Sequence, residues 1–355
     1  MKYHNILIIN NGLTGGGIER ASTTMANCFA KMGHKVTIVA LYKNKHFYEL
    51  HNSVKFIEPD FLRADNNKIF YLFKMISYVR CQIKLIKPDT ILSYGEWTNP
   101  FIIFANLGLG YPIYISDRMS PELKLSKYHN LLRRLLYKKA NGIIAQTEYS
   151  KETIQKKTRA KNITVIPNAV NIIERISIPK ENIIVSVGRL APEKGHKYLI
   201  EAFAKLALND WKLSLIGDGS EKTMLKDLVL KLGISDKVKF YGHLKDFQKH
   251  LSEAKIFVMP SLQEGFPNAL LEAMSVPLPC ISTRYFNGES EIIIDGVNGL
   301  LVRPANANEL SEAIAKLINN ENLRNKFMNE AVKVKDLYSL EKISYRYYEY
   351  ITSSL

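Results

Sequence analysis

The stretch SLQEGFPNALLEAMS, residues 261–275, carries two glutamates, Glu264 and Glu272, with seven residues between them. Pro267 suits the first turn of a helix, where its missing N–H costs nothing. Glu264 then sits in the loop ahead of that helix, and Glu272 lies more than one turn down it. Gly265 permits a sharp entry beside Phe266, and the amides near Asn268 and Ala269 point out of the helix start. One carboxylate lies above, and one below, a helix end that favours anions.

Three other loops hold residues fit for an anionic ligand. In VSVGRLAPEKGHKYLIEAF, residues 185–203, Gly188 ends a strand and Arg189 and Lys194 precede a helix. Cations so placed can meet a phosphate; the competing reading is two solvated surface charges. In LIGDGSEK, residues 215–222, Gly217-Asp218-Gly219 opens a helix with Ser220 as its N-cap, and an ordinary turn would read the same way. In NNGLTGGGIERAS, residues 10–22, Gly15, Gly16 and Gly17 let the backbone approach a ligand and present free amides at a helix end. That loop lacks the GxGxxG spacing and an acidic residue about 20 positions on, which argues against a dinucleotide. A tight turn is its plain alternative.

Strands alternating with helices must position these loops. The run NILII leads through the glycine loop to ERASTTMANCFAKMG and then KVTIVAL. Further strand candidates end at DTILS, YPIYIS, GIIAQ and ITVIP, which predicts one parallel sheet with helices on both faces. After the polar connection NAVNIIERISIPKEN the pattern restarts with IIVSVG, KLSLIG, KVKFYG, IFVMPS, PCIS and GLLV. The expected fold is α/β: two Rossmann-like domains facing across a cleft, residues 1–172 and 173–335, with a C-terminal helix at 336–355 packing back on the first. Ligands of such sheets bind beyond the carboxyl ends of the strands, where each of these loops falls.

At 355 residues and 46% hydrophobic content the chain can bury two domain cores. Its N-terminal apolar run is too short and too polar for a signal peptide. Asn106, Gly108, Gly110 and Pro112 interrupt PFIIFANLGLGYPIYIS, short of the roughly 20 residues of a spanning helix. A cytoplasmic location is the expectation. Cys28, Cys81 and Cys280 are odd in number and lack metal-ligand spacing, which fits reduced, mostly buried thiols without assigned chemistry.

The net charge of +15 is unevenly divided. Up to Arg175 there are 26 basic and 12 acidic residues, a net of +14; from Ile176 on there are 23 and 22, a net of +1. A basic half attracts a polyanion: nucleic acid, an anionic membrane surface or a phosphorylated substrate.

Taken together, the loops resemble those of glycosyltransferase family 4, retaining enzymes of GT-B fold that use nucleotide-sugar donors. EGFPNALLE resembles that family's E-x7-E motif, and GGGIE, IPNAV, GRLAPEKG, IGDGS and NGESEIIIDGVNGLLV extend the likeness, in order, over most of the chain. The resemblance implies that Arg189 and Lys194 hold the donor diphosphate and stabilise the leaving charge. No metal or other cofactor is then needed, the nucleotide sugar being a substrate. It implies that Glu272 accepts hydrogen bonds from the ribose, while Glu264 and the backbone from Gly265 through Phe266, Pro267 and Asn268 to Ala269 hold the transferred sugar. Gly188 and Gly217 would line the donor site, Tyr241 to His243 would lie near the base, and Gly16 and Gly17 would approach diphosphate or sugar from the first domain. The donor carbon would keep its configuration, by front-face attack.

There is a departure from the family pattern. Many members carry a histidine near the sugar after a late strand of the first domain, where this chain has YISDRMSPE with Asp117 and Arg118; His129 lies too far on. Either Arg118 takes that role or it binds a phosphate on the acceptor.

Two basic amphipathic stretches stand out in the first domain, KIFYLFKMISYVRCQIKLIK and KLSKYHNLLRRLLYKKA. Ile69, Leu72, Phe73, Ile76 and Ile83 fall at helical spacing as a core-facing stripe. Phe70, Tyr71, Arg133, Arg134, Lys138 and Lys139 lie outside it and suit anionic lipid. The family's first domain binds the acceptor, so the expected partners are a nucleotide-sugar donor, a UDP-sugar foremost, and a lipid-diphosphate-linked or oligosaccharide acceptor at an anionic inner membrane surface. Transfer of a hexose or N-acetylhexosamine would build a bacterial polysaccharide, O-antigen or glycoprotein glycan. Two alternatives remain: a nucleotide-sugar 2-epimerase on the same fold, and a nucleic-acid-binding protein. The latter is favoured by charge alone and lacks a helix-turn-helix, zinc-finger or RRM signature.

Overall fold

The computed structural model describes the chain except for residues 1, 63–66, 119, 121–124, 245 and 286–291, and the side chain of Lys68. Residues 287–291 of the motif NGESEIIIDGVNGLLV, and Met119, Pro121 and Glu122 of YISDRMSPE, lie outside the described residues. The chain divides into two units: residues 1–169 together with 340–355, and residues 170–339.

In the first unit the apolar runs become β1 (Asn5–Asn10), β2 (Lys35–Ala40), β3 (Lys55–Ile57), β4 (Thr90–Tyr94), β5 (Ile113–Ser116), β6 (Gly142–Ala145) and β7 (Ile163–Val165). They form one parallel sheet in the order β3-β2-β1-β4-β5-β6-β7. Between them run α1 (Gly17–Lys31), α2 (Lys68–Ile86), α3 (Asn99–Asn106), α4 (Lys127–Leu136) and α5 (Glu148–Thr158). Because side chains alternate across a strand, the buried run of β1 serves two cores. Leu7 and Ile9 face α2, α3 and α5, whereas Ile6 and Ile8 face α1.

The second unit repeats the plan with β8 (Ile183–Val187), β9 (Lys212–Ile216), β10 (Val238–Gly242), β11 (Ile256–Met259), β12 (Cys280–Thr283) and β13 (Leu300–Val302), all parallel, in the order β10-β9-β8-β11-β12-β13. Its helices are α6 (His196–Lys205), α7 (Lys222–Lys231), α8 (Gln248–Glu253), α9 (Asn268–Ser275), α10 (Ala307–Ile318), α11 (Glu321–Ala331) and α12 (Val334–Leu337). The last helix, α13 (Leu340–Thr352), belongs to the first unit, where Ile343, Tyr347, Tyr348 and Ile351 enter the core beside α1. Thr90 at the start of β4 donates to the Ile351 carbonyl at 2.7 Å, which fixes the helix end against the sheet.

In each sheet the chain builds outward on one side of its first strand and then returns to the other. The order reverses at β1/β4 in the first unit and at β8/β11 in the second. Loops leaving such a strand pair diverge and open a crevice at their carboxyl ends.

Four local expectations change. On α2 the core-facing stripe is Tyr71, Met75, Val79 and Ile83, while Ile69 and Phe73 are exposed. The Tyr71 hydroxyl also reaches inward, donating to the Leu41 carbonyl at 2.8 Å. Glu221, not Ser220, caps α7, and Pro267 is the cap of α9 rather than a first-turn residue. Cys81 is exposed rather than buried.

Candidate functional site

The crevice of the second unit is walled by the loops after β8 and β11, which hold Arg189, Lys194 and Glu264. Glycines bring its backbones together. Gly217, at φ +144°, lies so close to Gly188 that a Cβ would sit 1.9 Å from the Gly188 carbonyl oxygen. Gly195, at φ +63°, would place a Cβ 2.3 Å from the Pro260 carbonyl, so the β8 loop can rest on the β11 loop only with glycine there. The Glu193 carbonyl accepts from the Leu262 amide at 2.8 Å and the Gln263 amide at 3.3 Å, closing the same seam.

On this scaffold each cation already has a carboxylate. Lys194 Nζ donates to both oxygens of Glu264, at 2.7 and 2.8 Å, and Ser261 Oγ donates to Glu264 Oε1 at 2.7 Å. Glu264 and Ser261 are buried; the Lys194 side chain is a fifth exposed. Arg189 projects outward and pairs with Glu193 at 2.7 Å, an exposed contact that is readily exchanged. His196 is buried at the start of α6, and burial, with Lys194 adding repulsion, pulls its pKa down to about 4. It is therefore neutral at physiological pH.

Gly265 and Phe266 carry the chain from Glu264 into α9. The Asn268 amide, expected to point outward, turns back to the Phe266 carbonyl at 3.0 Å. Ala269 and Glu272 follow on α9, and Glu272 is buried in its second turn; its carbonyl accepts from Ser275 Oγ. Gly217, just past β9, bridges to Gly242, the last residue of β10. Tyr241 packs on His250 at 4.2 Å between ring centroids, and His243 is exposed.

In the first unit the glycine loop follows β1 at the other strand-order reversal. Gly16 caps α1, but its amide donates to the Thr14 carbonyl at 2.9 Å rather than standing free. The Glu19 carboxylate folds back over it, so that a Cβ on Gly16 would lie 2.1 Å from Glu19 Oε2. That helix end thus already faces a negative charge. Gly17 has open space around it.

Across the reversal, after β4, stands a residue that the motifs did not mark. Glu96 is buried, and burial followed by the nearby Asp117 raises its pKa to about 7. Its carboxylate accepts from the Arg118 amide. Asp117 is occupied by a buried ion pair with Arg133 and by the Tyr137 hydroxyl at 3.2 Å. The Arg118 guanidinium turns inward to Asn168 and to the Tyr347 hydroxyl of α13, at 3.4 Å, above the ring of Tyr94. His129, distant in sequence, folds into this loop: its Nε2 lies 3.1 Å from the Glu96 carbonyl and its ring packs on Trp97. Arg133 is accordingly internal, not part of a surface patch.

The structure therefore gathers Arg189, Lys194, Glu264 and the start of α9 in one unit, and Gly16, Gly17, Asp117 and Arg118 in the other. Ser261, Glu193, Glu19 and Glu96 escaped the sequence reading. Only Glu96 left a signal, a Gly-Glu pair directly after a strand in LSYGEW. Among the described residues no three His, Cys, Asp or Glu side chains gather as a metal site.

Residues 15–174 match the family model described as Glycosyltransferase Family 4, and residues 170–334 the one described as Glycosyl transferases group 1. The chain is 30% identical over 328 residues, 90% of each chain, to the GalNAc-alpha-(1->4)-GalNAc-alpha-(1->3)-diNAcBac-PP-undecaprenol alpha-1,4-N-acetyl-D-galactosaminyltransferase of Campylobacter jejuni. It is 26% identical to the amylovoran biosynthesis glycosyltransferase AmsD of Erwinia amylovora, over 92% of this chain and 94% of that one. Among solved structures, Anabaena HepE in complex with UDP matches with a TM-score of 0.83 at 20% identity, covering 99% of this chain and 100% of the other, a likeness of fold.

Proposed function

The chain belongs to glycosyltransferase family 4, and on that footing we propose that it moves a hexose or N-acetylhexosamine from a UDP-sugar to a lipid-diphosphate-linked or oligosaccharide acceptor. The configuration at the donor carbon is retained and no metal or cofactor is required. The observation that carries this reading is the grouping of Arg189, Lys194, Ser261 and Glu264 at the strand-order reversal of the second unit. Two cations there can receive the diphosphate as the glycosidic bond breaks and its electron pair moves to the leaving oxygen. Glu264 and the α9 start hold the sugar, and Glu272 takes the ribose hydroxyls. The acceptor oxygen attacks the face the diphosphate leaves, and its proton passes to the departing phosphate. The Campylobacter relative, whose name specifies an undecaprenyl-diphosphate acceptor, supports the lipid-linked class, and HepE, solved with UDP, supports the base.

The acceptor's anionic carrier suits the charge of the N-terminal half, and α4 suits a membrane. Ordinarily a surface helix turns its apolar stripe inward. On α4 apolar residues also face outward: Leu136 packs on the core and His129 and Arg133 are buried, while Tyr128, Leu131 and Leu135, spaced by three and four residues, are exposed. Exposed Arg134, Lys138 and Lys139 flank them, and Ile69, Phe70 and Phe73 on α2 are exposed as well. An apolar stripe rimmed with cations fits an anionic lipid surface. No helix among the described residues is long and apolar enough to cross a bilayer; the contact we propose is peripheral, on the inner face.

Calorimetry with UDP, GDP and ADP, followed by UDP release from UDP-GalNAc, UDP-GlcNAc, UDP-glucose and UDP-galactose, tests the donor assignment. Preferred binding of UDP and turnover of one of these sugars are expected. Failure to bind any of the three nucleotides would refute it.

A further inference from the structure

We propose that Ser261 is a positioning residue: it anchors Glu264 so that the carboxylate stays at the start of α9 when Lys194 transfers its ammonium to the incoming diphosphate. The inference rests on the reading of the donor site given above. Lys194 spends two of its three N–H bonds on the Glu264 oxygens, so a diphosphate that draws the ammonium towards itself weakens that pair. A glutamate held by its lysine alone would follow it or swing away. Glu264 has a second anchor, the Ser261 hydroxyl at 2.7 Å on Oε1, which does not depend on the lysine.

The anchor itself is fixed. Ser261 is buried directly beyond β11. Its carbonyl accepts from the hydroxyl of Thr283, the last residue of β12, and the next two amides are bound to the Glu193 carbonyl. On the preceding side Pro260 lies against Gly195. With the backbone held at each of these points, replacing Ser261 by alanine removes one hydroxyl and little else. Thr283, Gly195 and Glu193 therefore keep the loop in place in the variant. What changes is Glu264, which then depends on Lys194.

Donor binding thus exchanges partners in a set order. The diphosphate takes the ammonium, the carboxylate keeps its serine, and the freed Glu264 oxygen turns to the sugar. The serine is needed only in the second half of that exchange, so its loss should register in turnover of the nucleotide sugar and not in affinity for the bare nucleotide.

The test compares Ser261→Ala, Ser261→Thr and Glu264→Gln, and the double variant Ser261→Ala/Glu264→Gln, by calorimetry with UDP and by UDP release from the UDP-sugar the wild-type protein turns over. Ser261→Ala should lower kcat by about tenfold or more, the size of a lost hydrogen bond to a charged group, with the UDP Kd within about threefold of wild type. Ser261→Thr, which keeps a hydroxyl, should restore most of the rate, and Ser261→Ala should add little once Glu264 is already glutamine. Unchanged kcat in Ser261→Ala, additive losses in the double variant, or a UDP Kd that weakens in step with kcat would each overturn the proposal. If the wild-type protein binds no nucleotide and turns over no UDP-sugar, the donor-site reading falls and takes the proposal with it; an active wild type beside an equally active Ser261→Ala sinks the proposal alone.

Discussion

Lys194 and Glu264 are seventy positions apart in the chain, yet the lysine ammonium lies 2.7 and 2.8 Å from the two carboxylate oxygens. Arg189, five residues before Lys194, makes a superficially similar pair with Glu193 at the surface. The two pairs separate stability from catalysis. Lys194→Ala leaves Glu264 buried without its counter-charge and should cost about 3 kcal/mol of stability, whereas Arg189→Ala should change it by no more than about 0.5 kcal/mol. Both should lower kcat by about a hundredfold or more, because both would stabilise the leaving diphosphate. Thermal unfolding beside UDP release, each with and without EDTA, checks this. Equal destabilisation by the two variants, or loss of turnover on chelation, would count against it.

The two glutamates should divide the donor between them. Glu272→Ala is expected to weaken UDP and the UDP-sugar alike, by about 1.5–3 kcal/mol, since a ribose contact is the same in ground and transition states. Glu264→Ala should leave UDP affinity intact or tighten it, because Lys194 then has no carboxylate to leave, while kcat falls sharply. Calorimetry and steady-state rates on folded variants decide between this and a shared role, in which both would lose nucleotide affinity equally.

Glu96 should make stability fall as pH rises. Its pKa is raised from 4.5 to about 7 in the folded protein by burial and by Asp117, with Arg133, Arg118 and His129 also close by. The protonated form is thus favoured on folding. Its contribution is full below about pH 4.5 and is lost as pH climbs to about 7, by an amount on the order of 2–4 kcal/mol. Glu96→Gln cannot ionise, so its melting temperature relative to wild type should rise across that window and level off above it. A difference that does not vary between pH 4.5 and 8 would show that Glu96 does not titrate there.

The outward stripe of α4 should bind vesicles containing anionic lipid and release them at high salt, as exposed charges are screened beyond about 10 Å at 0.1 M. Leu131→Gln and Leu135→Gln should each weaken vesicle binding several-fold while shifting stability by no more than about 0.5 kcal/mol, both side chains being exposed in the free protein. Equal binding to neutral vesicles at every salt concentration would exclude the electrostatic part, and unchanged binding by both variants the apolar part.

The parallel sheets, the loops that end their strands and the family were legible in the sequence, because strand periodicity, glycine turns and motif order are local properties of the chain. Local patterns fail where a contact is made at long range. The α2 periodicity admits more than one inward stripe, and only packing against β1, β2 and α3 selects Tyr71, Met75, Val79 and Ile83 over Ile69 and Phe73. A serine after a strand carries no mark of its own, and Ser261 becomes significant only because the β11 loop folds under Glu264. Likewise His129 and Arg133 read as members of a basic helix until the fold places them beside Glu96 and Asp117. Composition determined that a basic half exists; the tertiary structure decided which of its charges are spent inside, since a buried cation must be paired and an exposed one need not be.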